Sequence, residues 1–168
     1  KDLYLSVVVP VFNEEGTLER VLRNLLAVPG LLEIVVVDDG STDGSLAIAR
    51  EFEKMSDKVR VIEQSANQGK TSALKRGFAE TRGAVVIVQD ADLEYDPAEI
   101  PDVIEPILKG FADVAYGSRF MVKRAARVIY FNHYLANKVL TVVSNVFTNL
   151  NMTDIETGYK AFRGDVAR

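Results

Sequence analysis

Asp90, Asp92 and Glu94 stand at alternate positions in VQDADLEYDP, directly after the apolar run VVIV. Alternate side chains of an extended segment point the same way, so the three carboxylates are expected to converge on one side. Like charges so close repel and raise one another's pKa unless a cation sits among them. Hard carboxylate oxygens suit Mg²⁺ or Mn²⁺, which keep waters and take further ligands from phosphate oxygens. The bland reading of the cluster is a surface turn with scattered acids. The preceding apolar strand weighs against it, because that strand would carry the acids to the ligand edge of a sheet. A second acidic group, DDGSTDGS over 38–45, has Asp39, Ser41, Asp43 and Gly44 at calcium-loop positions. Arg50 then occupies the twelfth position, where a bidentate Glu is needed, and an EF-hand is excluded. These acids can instead accept hydrogen bonds from ribose hydroxyls or base N–H groups, and Asp43 either does so or caps the next helix. Gln68-Gly69-Lys70-Thr71 opens a helix after a strand, but Gln64 stands where a P-loop needs its first glycine. Lys70 therefore touches a nucleotide in some other way or is a surface lysine.

Composition narrows the chemistry. The 168 residues contain no Cys and one His, His133. Thiolate zinc sites, cysteine nucleophiles and two-histidine metal sites are thereby excluded. A net charge of −4 argues against nucleic acid as a bulk partner. No apolar run approaches the roughly 18 residues of a membrane span, and no signal peptide is visible. Charge is unevenly placed: between Asp113 and Asp154 there is no acidic residue, while Arg119, Lys123, Arg124, Arg127 and Lys138 lie there. That stretch reads either as a face for anions or as a solvated basic helix.

The elements that must hold these residues alternate. LSVVVPVF over 5–12 is short, nearly continuously apolar and β-branched, as is a strand buried on both faces. Asn13 is expected to cap a helix from Glu14 to Val28, whose Leu18, Val21, Leu22, Leu25 and Leu26 recur at helical spacing. Strands follow at 33–39, 59–63, 84–90 and 113–117, with helices at 44–55, 70–81 and 98–108 between them. Alternation with short connections predicts an α/β fold, a Rossmann-like, mostly parallel sheet with helices on both faces. Ligands of such sheets bind at the carboxyl ends of strands, where Asp38-Asp39 and Asp90-Ala91-Asp92 fall.

VVVPVFNEEGTL, VVVDDGSTDGS, NQGKTSALKRGF, QDADLEYDP and YGSRF, in that order, resemble the inverting glycosyltransferase family 2 of the GT-A fold. Within that family the chain is similar to the dolichol-phosphate mannosyltransferase and dolichyl-phosphate glucosyltransferase group, whose later acidic-aromatic segment DIETGYKAFR resembles. The resemblance implies one catalytic domain over 1–168. Family members usually continue past this last segment, so the chain reads as truncated at its C-terminal end. It implies a nucleotide diphosphate sugar donor, GDP-mannose or UDP-glucose, with Mg²⁺ or Mn²⁺ on its diphosphate. By position, Pro10, Phe12 and Glu14 match residues at the base, and Asp39 matches the acid at base or ribose. Asp90 and Asp92 match the D-x-D metal pair, with Ala91 between them on the donor and Glu94 at a further polar-ligand position. Arg119 matches an arginine on the diphosphate or the acceptor phosphate. Asp154 either positions the acceptor, acts as base if the acceptor is a hydroxyl, or caps a helix.

The expected reaction is hexose transfer to a polyprenyl phosphate, whose oxygen is already largely anionic near neutral pH. An enzyme of this kind is expected in the cytoplasm, peripheral on the cytoplasmic face of a membrane. Residues 126–149 support a lipid surface: Val128, Phe131, Leu135, Val139, Val142, Val143, Val146 and Phe147 recur at helical spacing beside a basic loop. The same helix can equally cover the core. Two other functions stay open, namely transfer to a saccharide hydroxyl and a non-catalytic nucleotide-sugar binding module.

Overall fold

The computed structural model describes residues 4–117, 131–149, 151–155 and 157–168. Strands β1 (Leu5–Val11), β2 (Leu31–Asp38), β3 (Val59–Glu63) and β4 (Val85–Val88) alternate with helices α1 (Leu18–Leu26), α2 (Ser45–Met55) and α3 (Lys70–Glu80). A 3₁₀ turn at Pro97–Glu99 leads into α4 (Ile100–Leu108), followed by β5 (Val114–Tyr116), α5 (Phe131–Thr148), β6 (Lys160–Arg163) and α6 (Gly164–Ala167). The sheet order is β3-β2-β1-β4-β6-β5. The first four strands are parallel, and β6 runs antiparallel to both β4 and β5.

Two apolar clusters sandwich the sheet. On one face Val7, Val9, Ile34, Val36 and Ile87 pack with Leu18, Leu22 and Leu25 of α1, Phe52 of α2 and Ile100 and Ile104 of α4. On the other, Val8, Val35, Val37 and Val86 pack against Ala73, Leu74 and Phe78 of α3. Consecutive β-branched residues point to opposite faces, so each run feeds both clusters at once. Gly77 lets the α3 backbone lie directly on the sheet, since a Cβ there would strike Val8 Cγ1. The mostly parallel sheet with helices on both faces is as expected.

Three local expectations fail. Asn13 does not cap α1, which begins later, at Leu18, after Thr17. Its backbone is left-handed (φ 56°), and its side chain turns to the next loop, where Oδ1 accepts from Thr42 N at 2.8 Å. The strand of 84–90 spans only Val85–Val88, with Gln89 N making a last bond to Val8 O at 3.0 Å before the chain turns. Strand β6 was absent from the expected order of elements. KAFR is too short and too charged at its ends to announce a strand, and its ladder partners are distant in sequence.

Candidate active site

A cleft of about 460 Å³ opens at the carboxyl end of β4, between that strand, the start of α3 and the segment leading into β6. Asp90, Asp92 and Glu94 line it, together with Lys70, Lys160 and Thr157. Asp90 is mostly covered, its side chain 13% exposed, and Lys70 Nζ sits 2.6 Å from its Oδ1. Asp92 closes a turn by accepting from Glu94 N at 2.9 Å, and Leu93 between them has φ 61°. This corrects the expectation of an extended segment with three converging acids: the turn changes the direction of the chain after Asp92. Among the described residues no three acidic or histidine side chains are grouped to hold one metal ion. The donor set nevertheless suits a divalent cation shared with a phosphate. Three carboxylates line the cleft, one already carries a cationic group, and the buried Thr157 Oγ1 in the wall has no partner among the described residues.

The acidic turn is held from behind by a network that sequence reading missed. Gln89, fully buried, donates from Nε2 to Asp90 O (3.0 Å) and Tyr95 O (3.2 Å). Tyr159 Oη lies 2.6 Å from Asp96 O and 2.8 Å from Gln89 Oε1, and shares its proton between them. Burial, reinforced by the nearby carboxylates, pushes this phenol far above its ordinary pKa and keeps it a donor. The Tyr95 and Tyr159 rings pack at a tilt of 41° with centroids 4.7 Å apart, and Tyr95 Oη accepts from Gly158 N at 2.8 Å. Gly158 is required here: a Cβ would lie 2.6 Å from Tyr95 Cε2 and 2.8 Å from Asp90 Oδ2.

The loops after β1 and β2 are laced to one another and to the start of α3, and none of their residues lines the cleft. Asp39, 3% exposed, accepts Gln68 N on Oδ1 and Gly69 N on Oδ2, each at 2.8 Å, and so fixes the entry to α3. Asp43 accepts Ser45 N at 3.0 Å and Glu15 N at 3.1 Å. Burial raises its pKa, but the hydrogen bonds from Ser45 and Glu15 together outweigh that and hold its carboxyl below the ordinary range. Of its two expected roles, the one at the start of α2 is the one with visible contacts. Glu14 N in turn donates to Ser45 Oγ at 2.7 Å, while its carboxylate accepts from Thr17 Oγ1. Pro10 is half-buried in β1, whereas Phe12 is 44% exposed and therefore not a core residue. The Ala91 methyl is buried in the apolar cluster.

Asp154 is not brought into the cleft. It is 1% exposed, and its Oδ1 accepts from Asn137 Nδ2 at 2.7 Å, which ties the segment before β6 to α5. Arg119, with Lys123, Arg124 and Arg127, lies outside the described residues.

The family model for glycosyl transferase family 2 matches residues 6–168. The chain belongs to this family. Family 2 relatives include a dodecaprenyl-phosphate galacturonate synthase of Rhizobium johnstonii, 30% identical over 100% of this chain and 50% of its own. A dolichol-phosphate mannosyltransferase of Pyrococcus furiosus is 42% identical over 70% of this chain and 33% of its own. The chain thus spans half or less of these relatives' length. Among solved structures, glucosyl-3-phosphoglycerate synthase from Mycobacterium tuberculosis, crystallised with Mn²⁺ and UDP-glucose, superposes with a TM-score of 0.71 at 25% identity. That match covers 97% of this chain and 57% of the synthase. The fold is that of the GT-A glycosyltransferases.

Proposed function

We propose that the chain is the catalytic domain of a family 2 glycosyltransferase that moves a hexose from GDP-mannose or UDP-glucose to a polyprenyl phosphate, with inversion. The observation that carries this reading is the cleft in which Asp90 and Asp92 face Lys70 and Lys160 at the carboxyl edge of a parallel sheet. The bond from sugar C1 to the diphosphate breaks as an acceptor phosphate oxygen attacks C1 from the opposite side. Asp90 and Asp92 would hold Mg²⁺ or Mn²⁺, which when bound would supply charge neutralisation for the leaving diphosphate. Lys70 and Lys160 add positive charge where that anion develops, and Arg119 joins them on a phosphate. Pro10, Phe12, Glu14, Asp39 and Asp43, with the backbone of Ala91, frame the nucleoside, and Glu94 closes the turn beside the metal pair.

A phosphate acceptor is already ionised, so no general base is needed. The burial of Asp154 suits this chemistry: it positions the acceptor side through α5 rather than taking a proton from a hydroxyl. Helix α5 supports a lipid acceptor. Its polar residues turn inward, with Asn137 and Thr141 buried and Asn145 bonded to both backbone groups of Met152. Its apolar residues turn outward, up to Val146 at 75% and Phe147 at 86% exposure. An ordinary core-covering helix is the reverse. No helix among the described residues is long and apolar enough to cross a membrane. We therefore place this domain peripherally on the cytoplasmic face of a membrane, with α5 on the lipid.

The test is transfer by the full-length protein from a panel of nucleotide sugars to polyprenyl phosphate, with Mg²⁺, Mn²⁺ or EDTA. Asp92→Ala is expected to lower kcat/KM by about 10²-fold or more, the scale of losing one charge-stabilising group. Full turnover in EDTA would remove the metal assignment, and transfer only to sugar hydroxyls would remove the lipid one.

A further inference from the structure

We infer that Lys70 competes with the divalent cation for Asp90 and yields to a diphosphate, so that cation and nucleotide bind cooperatively; this rests on the donor and metal reading above. The ammonium of Lys70 sits on Asp90 Oδ1 at 2.6 Å. The second oxygen, Oδ2, lies against Gly158, where a Cβ would come within 2.8 Å of it, so that side of the carboxylate is crowded by backbone. A cation and the ammonium therefore compete for one carboxylate in one cleft.

The position of Lys70 makes it a poor permanent neighbour and a ready mobile one. It is the first residue of α3, a helix with no acidic residue in its first turn, whose entry is held by the Asp39 carboxylate on Gln68 N and Gly69 N. A cation there opposes the positive end of the helix dipole. Asp90 offsets that cost, and an anionic phosphate would offset it equally well. The Lys70 side chain is 57% exposed on a flexible four-carbon stem, so its ion pair is the weakly held kind. Without a diphosphate the ammonium raises the threshold for cation binding. With one, the ammonium moves to the phosphate and Asp90 Oδ1 is released. By linkage, each ligand then tightens the other by one common factor.

Binding of MnCl₂ to the full-length protein, followed by the electron paramagnetic resonance signal of free Mn²⁺, tests this without any turnover. Lys70→Met is expected to bind Mn²⁺ alone about tenfold more tightly than wild type, the order of one weak ion pair plus one removed like charge. In the presence of GDP or UDP, the additional gain in Mn²⁺ affinity should be smaller in Lys70→Met than in wild type by a comparable factor. Lys70→Arg keeps the charge and should retain the weak wild-type affinity for Mn²⁺ alone. Equal Mn²⁺ affinity of Lys70→Met and wild type overturns the inference while leaving the donor reading intact. Absence of Mn²⁺ binding in wild type, with and without nucleotide, overturns both.

Discussion

Gly158 shows how little room the site leaves at the level of one residue. Its backbone N–H donates to Tyr95 Oη, and its Cα faces both that ring and Asp90 Oδ2. Gly158→Ala inserts a methyl 2.6 Å from Tyr95 Cε2 and 2.8 Å from Asp90 Oδ2, so one of them must move. The Tyr95 ring is packed against the buried Tyr159, and Asp90 is the freer of the two. The expected outcome is a loss of transfer of about 10²-fold, the scale of a misplacement near 1 Å, with a much smaller change in Tm. Comparing kcat/KM and Tm of the two proteins checks it; an equal loss of both would make Gly158 a folding residue only. Asp90 and Asp92 were legible in the sequence because acids directly after an apolar run mark the edge of a sheet. Gln89, Tyr95, Gly158 and Tyr159 were not, because the bond from Tyr159 to Gln89 spans 70 positions and no local pattern announces it.

Among the elements, the end of the sheet opposite the cleft is stapled by one buried acid. Glu33 on β2, fully buried, accepts Ser6 Oγ and Arg82 N on Oε1, each at 2.7 Å, and Arg82 Nε on Oε2 at 2.9 Å. Arg60 on β3 reaches the same Oε2 at 3.3 Å. Four pieces of chain, β1, β2, β3 and the turn into β4, thus meet on one carboxylate. Burial by itself raises the Glu33 pKa, but the Ser6 and Arg82 hydrogen bonds outweigh it and hold the carboxyl below its ordinary 4.5. A lowered folded pKa means stability that is present above the ordinary glutamate range and lost as pH falls through the folded value. Glu33→Gln is expected to cost about 3 kcal/mol at pH 7, since it leaves two arginines facing a neutral amide. The gap to wild type, measured by urea unfolding, should narrow as pH drops below 4.5; a gap constant with pH would refute the linkage. Strands β1 to β4 and helices α1 to α4 were legible because continuous Val and Ile runs and helical leucine spacing each exclude the other element. The caps were less so. Asn13 has the composition of an N-cap, but its left-handed backbone lets it lace the β1 and β2 loops together instead. Strand β6 escaped because a four-residue strand inserted between β4 and β5 is defined by its neighbours, not by its own pattern.

At the scale of the whole molecule, a group of basic residues and an outward apolar helix fall in one stretch of the sequence. The chain carries a net charge of −4, yet the stretch from Val114 to Thr153 holds five Lys or Arg and no acid. Within that stretch α5 turns Leu135, Val139, Val142, Val146 and Phe147 to the outside while Asn137 and Thr141 bond inward. On the function proposed above, an anionic bilayer would complement both features, its surface potential drawing a basic segment and its acyl boundary taking an apolar helix face. The two contributions separate experimentally, because salt screens the first and not the second. Flotation of the full-length protein with phosphatidylglycerol vesicles should show binding that weakens, but persists, as salt rises from about 0.1 M to 1 M. Val142, Val146 and Phe147 are 60%, 75% and 86% exposed, so changing all three to Ser leaves the inward polar contacts of α5 intact. That triple variant should lose the salt-resistant part of binding by about tenfold or more, given roughly 0.8 kcal/mol for each CH₂ withdrawn from lipid. Transfer to a short-chain, water-soluble polyprenyl phosphate should be nearly unchanged in the same variant, because none of the three residues lines the cleft. Undiminished flotation would assign the apolar face of α5 to a protein contact rather than to the bilayer.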